Sequence, residues 1–177
     1  MKYLLKTFIV LLITTTLILT GSAFVKVSPD EFESGTIGIG VVVTDLERSL
    51  DFYIRGLGMT KTGEFSVTGE FGKRSGLTNS IPFNVTILKL KDEQHATEWK
   101  LMSFGNKAGH QTPQYIHNDT GIQYVTIFVK SMKPFLERFN KQNIRLLAET
   151  PTKLDDGRTF VLIQDPDGTF IELIGPE

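Results

Sequence analysis

The chain contains no cysteine. That excludes disulfides, thiolate nucleophiles and every metal site built on sulfur, and it leaves no residue for a cysteine-linked lipid anchor. Histidine is scarce as well. His95, His110 and His117 are the only three in 177 residues. All lie in stretches that read as turn or linker, where a solvated surface side chain is the ordinary outcome. An excess of either charge is missing: 19 Lys and Arg stand against 20 Asp and Glu, a net charge of −1. With no local basic run either, nucleic acid is not an expected partner. No low-complexity tract occurs, and 40% hydrophobic and 22% charged residues are the proportions of an ordinary globular protein. Tryptophan occurs once, at Trp99, whereas phenylalanine occurs 13 times, so a domain without disulfides has ample material for a core.

There is one long apolar run, and it comes first. Lys2 and Lys6 give a basic start, Leu4 to Leu19 is largely apolar, and Gly21-Ser22-Ala23 supplies small residues at the cleavage-reading positions. This is the anatomy of a secretory signal peptide over residues 1–23. The alternative is an uncleaved N-terminal membrane anchor. The run is shorter than the ~20 residues a spanning helix needs, and Thr14-Thr15-Thr16 interrupts it. Either reading places the following domain outside the cytoplasm, periplasmic or secreted, with no stable membrane insertion once cleavage has occurred. Cleavage removes two lysines and no acid and leaves a net charge of −3.

Residues 24–35 form a lead-in with little periodicity. From Thr36 the pattern sharpens. Ile37 to Val43 reads as a strand, Thr44-Asp45-Leu46-Glu47 as a capping box, and Leu46, Leu50, Tyr53 and Leu57 as the apolar stripe of a helix ended by Gly56 and Gly58. Thr60–Val67 is a short strand and Gly69–Asn84 a long, polar, glycine-rich loop of the kind that is either a functional lid or simply mobile. Val85–Leu90 and Glu98–Phe104 complete a βαβββ unit over residues 36–104. Residues 105–120 lack periodicity and read as a linker. The order then restarts over residues 121–177: a strand from Gly121 to Val129, a helix capped by Ser131 and carrying Phe135, Leu136 and Phe139, a strand at Arg145–Ala148, and a final hairpin. The fold class is therefore α+β, with two βαβββ modules forming a paired-module curved sheet around a central cleft. The expected core comprises Ile39, Val41, Val43, Leu50, Tyr53, Leu88, Leu101, Val125, Ile127, Leu136, Phe139, Val161, Ile163, Ile171 and Leu173.

The hairpin has the clearest chemistry. Asp165-Pro166-Asp167-Gly168 is a tight turn in which proline presets one φ and glycine accepts a positive one. In the strand after it, alternation places Phe170, Glu172 and Ile174 on one face and Ile171 and Leu173 on the other. A carboxylate among apolar neighbours in mid-strand requires a partner.

The stretch Val41 to Tyr53, the restart at Gly121-Ile122-Gln123-Tyr124-Val125, and the hairpin Asp165-Pro166-Asp167-Gly168 to Glu172-Leu173 together resemble the vicinal oxygen chelate superfamily. That group includes glyoxalase I, methylmalonyl-CoA epimerase, extradiol dioxygenases and the bleomycin-resistance proteins. The resemblance covers about residues 36–176. It implies a divalent metal held by one residue from each of four strands. The four positions fall on Gly38, Lys100, Tyr124 and Glu172, of which only Glu172 is a plausible metal ligand. Glycine has no ligand atom, and lysine keeps its proton at neutral pH. No cofactor is expected on this basis, although a divalent metal stays open.

The resemblance thus implies small-molecule binding in the cleft between modules without the usual metal. Lys100, Tyr124, Glu172, Met102 and Phe170 are the expected ligand-binding residues, with Lys100 as counter-charge to Glu172. Phe65, Phe71, Trp99, Phe104 and Tyr115 are further aromatic candidates, with Trp99 alternating away from Lys100 toward the helix side. The alternatives are a lyase, isomerase or epimerase like glyoxalase I, using Glu172 as catalytic base, and a structural or partner-binding domain. Pairing as a homodimer is the default that the resemblance implies.

Overall fold

The computed structural model describes residues 32–107, 109 and 111–177. The expected signal peptide, the alternative anchor, most of the lead-in and His110 lie outside the described residues. The chain divides between Gly35 and Thr36, and the body Thr36–Glu177 contains every strand and helix of the described residues.

Two four-stranded sheets build that body, and each has the same topology. In the first, β1 (Gly38–Val42), β2 (Thr60–Val67), β3 (Phe83–Lys89) and β4 (Glu98–Met102) lie in the order β1-β4-β3-β2. In the second, β5 (Tyr124–Phe128), β6 (Thr152–Lys153), β7 (Thr159–Gln164) and β8 (Phe170–Gly175) lie in the order β5-β8-β7-β6. In both, the opening strand runs parallel to the closing strand and the other pairings are antiparallel. The helix that follows the opening strand makes the parallel return possible. These helices are α1 (Leu46–Asp51), continued by a π-helical turn Phe52–Gly56, and α3 (Lys133–Lys141).

One core serves both sheets. Ile39 and Val41 of β1, Leu88 of β3, and Trp99 and Leu101 of β4 meet Val125, Ile127, Val161, Ile163, Ile171 and Leu173 of the second sheet in a single apolar cluster with Tyr53, Leu57, Met132 and Phe139. All fifteen core residues expected from the sequence belong to it. The period-two alternation explains why: every second strand residue faces the helices and the rest face away.

Four local expectations are corrected. Asp45, not Thr44, caps α1, its carboxylate accepting from the Arg48 amide at 3.1 Å, because the Thr44 hydroxyl is engaged elsewhere. Helix α3 begins after Met132 with no side-chain cap from Ser131; Pro134 in its first turn needs no amide partner there. The expected loop Gly69–Asn84 contains helix α2 (Gly69–Ser75), capped by the Thr68 hydroxyl and ended by Gly76 at φ 79°. Its other glycines are packing residues rather than breakers, since a Cβ on Gly69 or Gly72 would collide with Ser80 or Thr78. Finally, Arg145–Ala148 forms no strand. Leu147 donates to the Leu162 carbonyl, but Ala148 turns into positive φ at 50°, and pairing resumes only at Thr152.

Candidate functional site

Each sheet presents a second face, away from the core, and the expected site residues lie there. On the first sheet it carries Gly38, Gly40 and Val42 of β1, Glu98, Lys100 and Met102 of β4, and Lys89 of β3. The two glycines let the long β4 side chains lie across the edge strand. The Lys100 ammonium stands 3.1 Å from the point a Gly38 Cβ would occupy, and the Met102 methyl stands 3.6 Å from the corresponding point at Gly40. Lys100 Nζ pairs with Glu98 at 3.1 Å, and Lys89 Nζ lies 3.8 Å from the other Glu98 oxygen. Two ammonium groups therefore share one carboxylate, leaving one positive charge in excess within this cluster.

On the second sheet the corresponding face carries Tyr124, Thr126 and Phe128 of β5 with Phe170, Glu172 and Ile174 of β8. Thr126 stands opposite Glu172 in register, and its hydroxyl donates to Glu172 Oε2 at 2.7 Å. The mid-strand carboxylate thus has its partner, a neutral one. The expected ion pair between Lys100 and Glu172 is not among the ion pairs of the described residues: Lys100 is paired within its own strand and Glu172 bonds across to the next. Tyr124 is half-exposed, whereas Phe170 is buried, at the end of the sheet where Gln164 donates to the Pro113 carbonyl of the linker at 2.7 Å.

Glu98, Lys89 and Thr126 carry no motif. The alternation that places Lys100 places Glu98 on the same face two residues earlier, and that is the one sequence signal for it. Of the aromatic candidates, Trp99 is buried against Tyr53 with ring centroids 5.5 Å apart, on the helix side as expected. Phe104 packs on Phe83 at 5.2 Å, Tyr115 stacks on His117 at 5.4 Å, and Phe71 lies under Arg74. Phe65 is exposed.

The closing turn does more than reverse the chain. Asp165 is 5% exposed; its Oδ1 accepts from the amides of Asp167 and Thr169 at 3.0 and 2.8 Å, and its Oδ2 accepts from the Tyr53 hydroxyl at 2.7 Å. Burial pushes the Asp165 carboxyl above the usual carboxylate range, an effect that the Tyr53 and backbone hydrogen bonds oppose. Burial first, and the adjacent carboxylate second, push the Tyr53 phenol far up, so it is a donor at every physiological pH. Asp167 in turn accepts from the Thr44 hydroxyl at 2.6 Å and the Thr44 amide at 3.2 Å. The turn of the second module is thereby fastened to the first strand–helix junction, and Arg138 of α3 completes the fastening by donating to the carbonyls of Gly56 and Leu57 at 2.9 and 3.2 Å.

Two four-stranded βαβββ-like modules sharing one core, with polar residues on the outward faces of β4, β5 and β8, define a paired-module fold. The chain belongs to the Glyoxalase/Bleomycin resistance protein/Dioxygenase superfamily, whose model matches residues 37–173. Among solved structures, a glyoxalase family protein from Bacillus cereus is similar at 19% identity with a TM-score of 0.67, covering 84% of this chain and 98% of that one. A glyoxalase/dioxygenase from Nostoc punctiforme is similar at 14% identity and TM-score 0.59, covering 85% and 96% of the two chains. A mutant of glyoxalase I from Zea mays is similar at 20% identity and TM-score 0.58, covering 78% of this chain and 44% of that one. These likenesses show the fold. A comparison with curated proteins found no match.

The donor set at the four family positions does not fit a divalent metal. Gly38 offers no ligand atom, and the space above it holds the Lys100 ammonium, a cation where a cation would have to bind. Among the described residues no group of three or more His, Asp or Glu side chains is placed to hold a metal ion.

Proposed function

We propose that this protein binds a small molecule bearing an anionic group on the outward faces of its two sheets, without a metal. The observation that carries the reading is the position of Lys100 over Gly38: an ammonium replaces a ligand-bearing side chain, with Lys89 adding a second positive charge around Glu98. An anion entering there gains charge-assisted hydrogen bonds. The Tyr124 hydroxyl and Glu172 offer a donor and an acceptor for the rest of the molecule, with Met102 as apolar contact and the buried Phe170 beneath them. The faces close into a cleft in this reading, and Val42 and Phe128, 61% and 71% exposed, are covered by the ligand or by a second copy in a homodimer. The N-terminal run supports export, with retention as an anchor the alternative. A lyase or isomerase using Glu172 as base has less support, since that carboxylate is already engaged by Thr126.

The test is a titration of the purified full-length chain with benzoate and, separately, with neutral benzamide, following the Met102 methyl resonance. Benzoate is expected to shift it and benzamide to be weaker by about tenfold, the value of one charge-assisted hydrogen bond; Lys100→Met removes the difference. Equal binding of both, or nickel, zinc or iron bound at one equivalent in the purified protein, overturns the reading.

A further inference from the structure

A cavity of about 390 Å³ lies between α1 of the first module and the segment 142–147 that follows α3 in the second, and Gln164, Asp165 and Pro166 of the closing turn complete its wall. None of Lys89, Glu98, Lys100, Tyr124, Thr126 and Glu172 lines it. Gln164 is the one lining residue that also borders the outward face, and its side-chain amide is committed to the carbonyls of Pro113 and Gly168.

The arginines single this cavity out. The chain has six. Arg55 pairs with Asp51, Arg74 with Glu70 and Arg158 with Asp156, and Arg138 donates to the Gly56 and Leu57 carbonyls. Only the guanidinium groups of Arg48 and Arg145 have neither an ion pair nor a hydrogen bond among the described residues, and both residues line this cavity. Its two carboxylates do not answer them. Asp51 is paired with Arg55, and Asp165 accepts from Tyr53 and two turn amides. With Arg55 counted, three cations stand against two carboxylates.

The backbone that carries the two arginines is fixed. Ile144 seats on Gly56, where a Cβ would stand 2.5 Å from its side chain, and Leu147 donates to the Leu162 carbonyl. Arg145 lies between those two anchors, and Arg48 lies on α1, whose cap is made by Asp45. Gln142 and Asn143 add side-chain amides without a partner among the described residues, and Phe52, Ile144 and Leu147 supply apolar wall.

We propose that this inter-module cavity is a second binding site, for a small phosphomonoester whose phosphate is held by Arg48 and Arg145. A guanidinium fork matches two oxygens of an oxyanion. A carboxylate has only two oxygens in one plane, whereas the three terminal oxygens of a phosphomonoester can meet forks arriving from two modules. The apolar wall receives the organic part, and the volume suits a small molecule.

The experiment titrates the full-length ¹⁵N-labelled chain with phenyl phosphate, inorganic phosphate and phenylacetate in about 0.15 M salt, which screens solvated charges. Backbone amides of residues 143–145 report this cavity, and the Met102 methyl reports the outward face. Phenyl phosphate is expected to move the amides and to bind about tenfold more tightly than either of the other two. Arg48→Ala and Arg145→Ala are each expected to weaken it about tenfold, the value of one charge-assisted hydrogen bond. Lys100→Met is expected to leave the amide shifts in place, so the fate of the outward site is read separately. Amides that phenyl phosphate does not move overturn the proposal. So does equal affinity for phenylacetate or for inorganic phosphate, or an Arg145→Ala chain that binds as the wild type does.

Discussion

The Lys100 ammonium lies 3.1 Å from where a Cβ on Gly38 would stand, so the lysine of β4 fills the space that the glycine of β1 leaves open. The two residues are coupled: glycine at 38 gives lysine at 100 the room to lie across the edge strand.

Replacing both residues tests the relationship. The triple variant Gly38→His, Lys100→Glu, Tyr124→His, with Glu172 kept, is expected to bind one equivalent of Zn²⁺ or Ni²⁺ by calorimetry, because two imidazoles and two carboxylates form a competent divalent set. The wild-type chain is expected to take up none under the same conditions. A triple variant that stays metal-free would show that the four positions do not converge.

The Tyr53–Asp165 bond makes a pH prediction. Burial raises the Asp165 carboxyl, so between its unfolded value of about 3.9 and its raised folded value the native state holds more proton than the unfolded chain. Stability from this group is then greatest below the unfolded value and falls as pH rises through the folded one. Urea unfolding of the wild type and of Asp165→Asn, compared from pH 7 down to 4, is expected to show the wild type gaining relative to the variant as pH falls. A constant difference would refute it.

Asp165→Ala is a different perturbation. It strands the Tyr53 hydroxyl and the amides of Asp167 and Thr169 and is expected to cost about 2–4 kcal/mol at pH 7, read from urea unfolding.

The fastening of Thr44 to Asp167 predicts coupling between residues 123 positions apart. Thr44→Val is expected to cost about 1–2 kcal/mol. A double-mutant cycle with Asp167→Ala should give a coupling of about 1 kcal/mol, measured by urea midpoints. Additive losses would mean that the hydroxyl does not serve the turn.

Gly175 closes β8 with its α-carbon against the Val129 backbone, where a Cβ would overlap the carbonyl. Gly175→Ala is expected to lower stability by about 1–3 kcal/mol, seen as a lower thermal midpoint. Gly105→Ala, whose Cβ would meet nothing within 4 Å, is expected to cost about 1 kcal/mol, from its positive φ alone.

Much of the fold was legible in the residues themselves. Period-two and period-3.6 apolar patterns fixed which residues enter the core, and turn chemistry fixed the hairpin at Asp165–Gly168, because both depend on neighbours a few positions apart. Helix α2 escaped because glycine reads as a breaker, whereas Gly69 and Gly72 are demanded by contacts with Ser80 and Thr78 that form only on folding. Ser131 was read as a cap from its type alone. The partners of charged groups escaped for a related reason. Glu172 chose Thr126 because strand register sets which side chains stand together across strands, and register is a property of paired strands; Lys100 turned to Glu98, its same-face neighbour two residues earlier on β4.

What the sequence by itself determined is the repeat of two βαβββ modules and the residue types that alternation places together on the outward strand faces. Only the tertiary structure decided where the Lys100 charge goes, how Tyr53 and Thr44 receive the turn of the other module, and that Arg48 and Arg145 line one cavity. The fastening of Tyr53 and Thr44 depends on the docking of segments more than a hundred residues apart, which side-chain volume and hydrogen-bond geometry settle and local pattern does not.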